Sequence, residues 1–239
     1  MRQTEPTPIS IAFLIYPEVT QLDFTGPAQF LSRLGNAKVH YIWKSREPVP
    51  TDAGFSILPT ATFAEVGAAD IICVPGGIAC VDIMEDDETL AWVARIGERA
   101  SWVTSVCTGS LILGAAGLLR DYRAACHWAW REHLAPFGAE PVAERVVFDR
   151  NRVTGGGVTA GIDFALALTA AIRGEAHARL IQLALEYDPA PPFDSGSLDR
   201  AGADFVASYR RRMEKMAPGR AERVRAAAER LMPKPRSGL

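Results

Sequence analysis

The stretch VTSVCTGSLILGAAGLL, Val103 to Leu119, decides the fold. A β-branched run stops at one cysteine, Cys107. Thr108 and Gly109 follow, and then an apolar segment with helical spacing. That order predicts a strand, a tight turn and a helix, with Cys107 at the turn. In parallel α/β sheets ligands bind at the carboxyl ends of strands, and Cys107 falls at such an end. The helix dipole and free backbone N–H groups at a helix start both favour a thiolate. Most lone cysteines are buried small hydrophobes, however. Cys107 is either a nucleophile raised on an elbow or a core residue between two elements.

The flanking segments extend the pattern. ISIAFLIY (9–16) and ADIICVPGG (69–77) are near-continuous apolar runs of strand length, as in strands buried on both faces. KVHYIWK (38–44) reads as a further strand, and YRAACHW (122–128) as a short one. VAERVVFDRNRVTGG (142–156) reads as a hairpin turning near Asp149 to Asn151. Helical spacing marks AQFLSRL, DDETLAWVARIGERA, TAGIDFALALTAAIRG and EAHARLIQLALEY. PEVTQLDFTGP (17–27) reads as a loop. Alternating strands and helices predict an α/β fold with a mostly parallel sheet.

The chain has 239 residues, 48% hydrophobic, with a formal net charge of −2. That allows one large domain and makes no general case for nucleic acid or membrane. No apolar run approaches the roughly 20 residues needed to cross a bilayer. The polar start MRQTEPTPIS lacks the apolar region of a secretion signal, so a cytoplasmic location is expected. The four cysteines, Cys73, Cys80, Cys107 and Cys126, show neither C-x-x-C nor zinc-finger spacing. Neither disulfides nor a metal is expected. DPAPPFDSGS (188–197) reads as irregular. From Arg200 onward there are eleven Lys or Arg against four Asp or Glu, in segments that read as charged helix. This tail is a solvated or docking helix, or else a contact for a partner or nucleic acid. It shows no helix-turn-helix pattern. Residues 1–197 are expected to form one unit, with 198–239 a basic helical extension packed on it or flanking it.

Other residues fall near the same sheet edge. Asp23 is a carboxylate between Leu22 and Phe24, after the first strand. It suits an acid/base role and an N-cap equally well. Gly76 and Gly77 end a strand. They form a plain tight turn, or one whose N–H groups stabilise a developing negative charge. TGGGVTAGID (154–163) lacks the Lys and Ser/Thr of a phosphate loop and the G-x-G-x-x-G spacing of a dinucleotide site. It reads as close backbone packing against the site, with Val158 in the loop and Thr159 opening a helix. Of the four histidines only His127 lies near this edge, as a core or supporting residue. His40 alternates within a strand, and His133 and His177 fall on polar helix faces. Cys126, beside His127, reads as structural. Thr108, not histidine, follows Cys107, which counts against a hydrolase with an adjacent Cys-His pair.

These motifs together resemble the DJ-1/PfpI superfamily, and within it the isocyanide hydratases. The resemblance rests on YPEVTQLDFTGPAQF, ADIICVPGG with DIMEDDETL, VTSVCTGSLILGAAGLL, YRAACHW, ERVVFDRNRVTGGGVTAGIDFAL and IQLALEYDPAPPFDSGS. They span roughly residues 9 to 197 in the family's order. The resemblance implies a flavodoxin-like three-layer sandwich, a homodimer, and addition of water to R–N≡C to give an N-substituted formamide. It implies no cofactor. It places the nucleophile on Cys107, the acid/base carboxylate on Asp23 and the following threonine on Thr108. A mobile helix start falls on Gly156, Gly157 and Val158. Cys80 and Cys126 depart from the pattern and bear on substrate range. Two other classes share parts of it: a ligand-sensing domain like that of AraC-type regulators, and a redox or glyoxal-handling DJ-1 relative. Asp rather than Glu at position 23 counts against the latter.

Overall fold

The computed structural model describes residues 8–231. Most of the polar start, and residues 232–239 of the basic extension, lie outside them. Seven strands form one sheet: β1 (Ile9–Leu14), β2 (Ala37–Trp43), β3 (Ala61–Thr62), β4 (Ile71–Val74), β5 (Trp102–Val106), β6 (Val146–Asp149) and β7 (Arg152–Gly155). Their order is β6-β7-β5-β4-β1-β2-β3, and every pairing is parallel except the β6–β7 hairpin. The hairpin turns at Arg150 and Asn151, within the span expected from sequence. The YRAACHW strand shrinks to Arg123–Ala124, paired outside this sheet with Glu140–Pro141.

The apolar runs form the centre because a parallel strand covered on both faces has no polar side. Ile11 to Tyr16 and Ile71 to Ile72 are fully buried. From β1 the chain steps one way to β2, through α1 (Leu22–Leu31), and then returns to β4 on the other side of β1. Right-handed crossovers in opposite directions put successive helices on opposite faces. A crevice opens at the reversal, outside the carboxyl ends of β1 and β4. On the far side of β4 lies β5, which ends one residue before Cys107. The core ordering β2-β1-β4-β5-β7 is the flavodoxin-like arrangement.

The remaining helices complete the layers. α2 (Asp87–Gly97) starts at an Asp86 cap, whose carboxylate accepts from the Thr89 N–H. α3 (Gly109–Ala115) follows the elbow. α4 (Ala160–Arg173) packs on α1, and α5 (Glu175–Ala184) on α4. α6 (Ala203–Met216) and α7 (Arg220–Arg230) make up the charged C-terminal segment. That segment is not a free helical arm: Met213 and Val224 belong to the main hydrophobic cluster. Arg223 bonds to Asp82 and Glu85, and Arg230 donates to the Met84 carbonyl. No helix of the described residues is long and apolar enough to cross a membrane.

Candidate active site

Three chain segments converge at the crevice. Cys107 follows β5 with φ +59°, a left-handed conformation that a residue with a side chain rarely adopts. Strain of this kind, about 1–3 kcal/mol, persists where the surroundings impose it. Here the Cys107 N–H donates to the carbonyls of Gly155 (3.2 Å) and Gly156 (2.8 Å), which pins the turn to β7. Gly109 completes the turn, because a Cβ there would overlap the Val74 carbonyl. Gly109→Ala is therefore expected to cost about 3 kcal/mol and to lower Tm by roughly 5–10 °C in a calorimetric scan.

The second segment is the turn after β4, and it corrects one expectation. The Gly76 N–H donates to Asp23 Oδ2 at 2.8 Å, and the Gly77 N–H donates to Thr108 Oγ1 at 2.9 Å. The Thr108 hydroxyl in turn donates to the Gly77 carbonyl at 2.9 Å. Both glycine N–H groups are thus engaged and do not form an anion-stabilising pair. Instead they fasten Asp23 and Thr108 to the turn. Glycine is required at 76 because a Cβ would stand 2.5 Å from the Thr108 nitrogen and 2.8 Å from Asp23 Oδ2.

The third segment is α1. LDFTGP reads as a loop, but the helix begins at Leu22, so Asp23 sits in its first turn. Gln21, not Asp23, holds the cap position. The Asp23 side chain turns inward and is 1% exposed. Burial pushes its pKa up to about 7, against the hydrogen bonds from Gly76 and Cys107 that lower it. The contact with Cys107 is loose, since Oδ1 is buried without a partner that meets hydrogen-bond geometry.

The thiol shift is opposite in sign to the expected one. Burial raises the Cys107 pKa well above that of a free thiol, and the Asp23 charge raises it further. The Thr108 N–H opposes this but does not prevail. α3 has only seven residues, and burial outweighs its dipole. Cys107 thus holds its proton more tightly than Asp23, whose carboxyl gains or loses its own near neutral pH. Cys73 and Cys80 are pushed up to about 12 by burial, and Cys126 is also raised. Among the four cysteines, Cys107 alone lines the cavity described next.

That cavity is about 220 Å³. Cys107, Thr108, Gly77 and Ile78 form its floor, and Thr20 and Asp52 one side. Val158, His127 and Trp130 form another side, and α6 supplies Tyr209, Met213 and Met216. Burial pushes the His127 pKa down to about 4, so its ring is neutral. Its Nδ1 accepts from the Ala129 N–H, which leaves the proton on Nε2. Gly157 stands next to His127, and Gly156 acts through its carbonyl on Cys107. His133 is half-buried against Trp130 rather than on a polar face. Among the described residues no cluster of three or more His, Cys, Asp or Glu side chains is placed to hold a metal ion.

Sequence reasoning found Cys107, Asp23 and the two glycine segments but missed the α6 wall. The signal was present: Tyr209, Met213 and Met216 recur at i, i+4 and i+7 within SYRRRMEKM. It also missed Tyr16, which is buried and donates from its hydroxyl to the Pro75 carbonyl beneath the turn.

Residues 9–171 match the DJ-1/PfpI family. The chain belongs to that family. An isonitrile hydratase of Pseudomonas putida is 48% identical over 223 residues, covering 93% of this chain and 98% of that protein. The crystal structure of a ThiJ/PfpI family protein from Pseudomonas syringae superposes with TM-score 0.85 at 45% identity, covering 92% of this chain and 90% of that one. GbdR, an HTH-type transcriptional regulator of Pseudomonas aeruginosa, is 29% identical over 188 residues, 74% of this chain and 49% of the regulator.

Proposed function

We propose that this protein is an isonitrile hydratase, adding water to R–N≡C to give R–NH–CHO through a covalent intermediate on Cys107. One observation carries the reading: the Cys107 thiol at the floor of a largely apolar cavity is backed by the buried carboxyl of Asp23. The 48% identity to the Pseudomonas putida enzyme over 93% of the chain supports it. The regulator's weaker similarity, 29%, makes a sensor domain the lesser reading.

The steps follow from the isocyanide carbon, which takes a nucleophile and a proton at the same atom. Asp23 accepts the thiol proton as the Cys107 sulfur bonds to that carbon, then delivers the proton to it. The product is the thioimidate R–N=CH–S–Cys107. Water adds to the same carbon while its proton reaches nitrogen. The C–S bond then breaks, the hydroxyl proton returns to sulfur by way of Asp23, and R–NH–CHO leaves. Thr108 is a positioning residue, holding the Gly77 turn against the elbow. The reaction in this form needs no metal or organic cofactor.

The mechanism requires Asp23 ionised beside a protonated thiol. As pH falls through about 7 the carboxylate gains its proton. The kcat/KM is therefore expected to fall about tenfold per unit below that value and to level off above it. A pH profile with p-nitrophenyl isocyanide, corrected for spontaneous acid hydrolysis, checks this. The same substrate tests the function itself: formamide should accumulate with the purified protein, and its absence rejects the hydratase.

The homodimer belongs to the same proposal. Leu180, Leu183 and Phe193 are large apolar side chains exposed on the single chain, and they suit a subunit contact. The four free cysteines suit a reducing compartment, the cytoplasm.

A further inference from the structure

A second cavity, about 300 Å³, adjoins the first and is not used by the mechanism. Trp128, Leu198, Ala201, Phe205 and Val206 give it apolar walls, and the Ser195–Ser197 turn forms its rim. Tyr209 lines both cavities. The partition is a cluster of three rings. Tyr209 lies 5.1 Å from Trp128 and 5.9 Å from His127, and the latter two are 5.7 Å apart. Tyr209 is 38% exposed, and its hydroxyl makes no hydrogen bond to the described residues. Its contacts with His127 and Trp128 are ring contacts, so turning the side chain breaks no polar bond with them. Tyr209 and Cys107 both line the first cavity, so the ring and the sulfur face the same space.

We propose that this second cavity receives the distal apolar substituent of long aryl or alkyl isocyanides, with Tyr209 as the movable partition between it and the Cys107 cavity. The inference rests on the hydration reaction proposed above. The R–N≡C unit is linear, so carbon placed at the Cys107 sulfur directs the substituent away from the elbow. The α6 wall meets it there. A neutral His127 and the rings of Trp128 and Tyr209 present no charge to an apolar chain. Met213 and Met216 supply adaptable surface beside them.

The test compares tert-butyl isocyanide with 4-butylphenyl isocyanide in the full-length protein. Ala201→Trp fills the second cavity, and Tyr209→Ala removes the partition. The ratio of kcat/KM, long over short, is expected to fall about tenfold in Ala201→Trp and to rise in Tyr209→Ala. An unchanged ratio in either variant, with hydration intact, overturns the subsite. Hydration of neither compound by the unmodified protein instead rejects the proposed function. Calorimetric titration with N-(4-butylphenyl)formamide then judges the cavity alone. Binding about tenfold weaker in Ala201→Trp supports the subsite, and equal affinities overturn it.

Discussion

Replacing Cys107 by alanine is expected to lower kcat/KM for p-nitrophenyl isocyanide at least ~10³-fold, about 4 kcal/mol of barrier. The loss should be this large because the sulfur forms the bond that splits one difficult addition into two easier ones. No other thiol can replace it, since Cys73, Cys80 and Cys126 are buried and do not line the cavity. The fold should persist. Alanine tolerates φ +59° about as well as cysteine does, and the Cys107 N–H still reaches Gly155 and Gly156. Near-UV circular dichroism should match the parent protein. Residual turnover at the parental rate would show that the sulfur is a bystander.

Asp23→Asn is expected to lower kcat by about 10²–10⁴-fold, the usual size of a lost acid/base group. It should also remove the acid limb of the pH profile. Stability should move the other way. Asp23 has a folded pKa near 7 against an ordinary value of 3.8, so it favours folding least when charged. Its penalty is absent below about pH 4, grows as pH rises toward 7, and is complete above that. Asparagine keeps an oxygen for the Gly76 N–H and carries no charge. The variant should therefore be more stable than the parent at pH 8 by on the order of a few kcal/mol and melt higher, with the gap closing toward pH 4. Melting curves at the two pH values measure the gap. A variant that is slow but shows no pH-dependent gain would mean that Asp23 is not a strained, buried carboxyl.

Much of the fold was legible because parallel strands leave a simple mark. ISIAFLIY and ADIICVPGG are near-continuous apolar runs and VTSV is β-branched, and they became β1, β4 and β5 at the centre of the sheet. The site was legible where it sits on the turns after those strands. Asp23 was placed at the right edge but in the wrong element. Gly26 and Pro27 weaken local helix propensity, and tertiary packing overrides them: Gly26 sits against Ile162, and Gly161 against Pro27. The sign of the Cys107 shift was misread because a dipole is visible in sequence and burial is not. The two readings of the glycine N–H groups stayed open in sequence for a related reason. Their partners, Asp23 and Thr108, lie 53 and 31 residues away in sequence. The α6 wall was hidden by its own charge. Arg210, Arg211 and Arg212 mark a solvated helix, and only folding shows which cavity its Tyr209–Met213–Met216 face covers.

The central claim is that Cys107 builds and releases a thioimidate in the cavity, with the buried Asp23 behind it carrying the proton. Peptide-mapping mass spectrometry of protein quenched during turnover of p-nitrophenyl isocyanide tests it most directly. Adding R–NC to a thiol loses no atoms, so the peptide carrying Cys107 should gain the full mass of the isocyanide. No other cysteine peptide should change, and the adduct should be absent from Cys107→Ala. Steady formamide production with no adduct on Cys107 at any quench time, together with parental turnover by Cys107→Ala, would contradict the account.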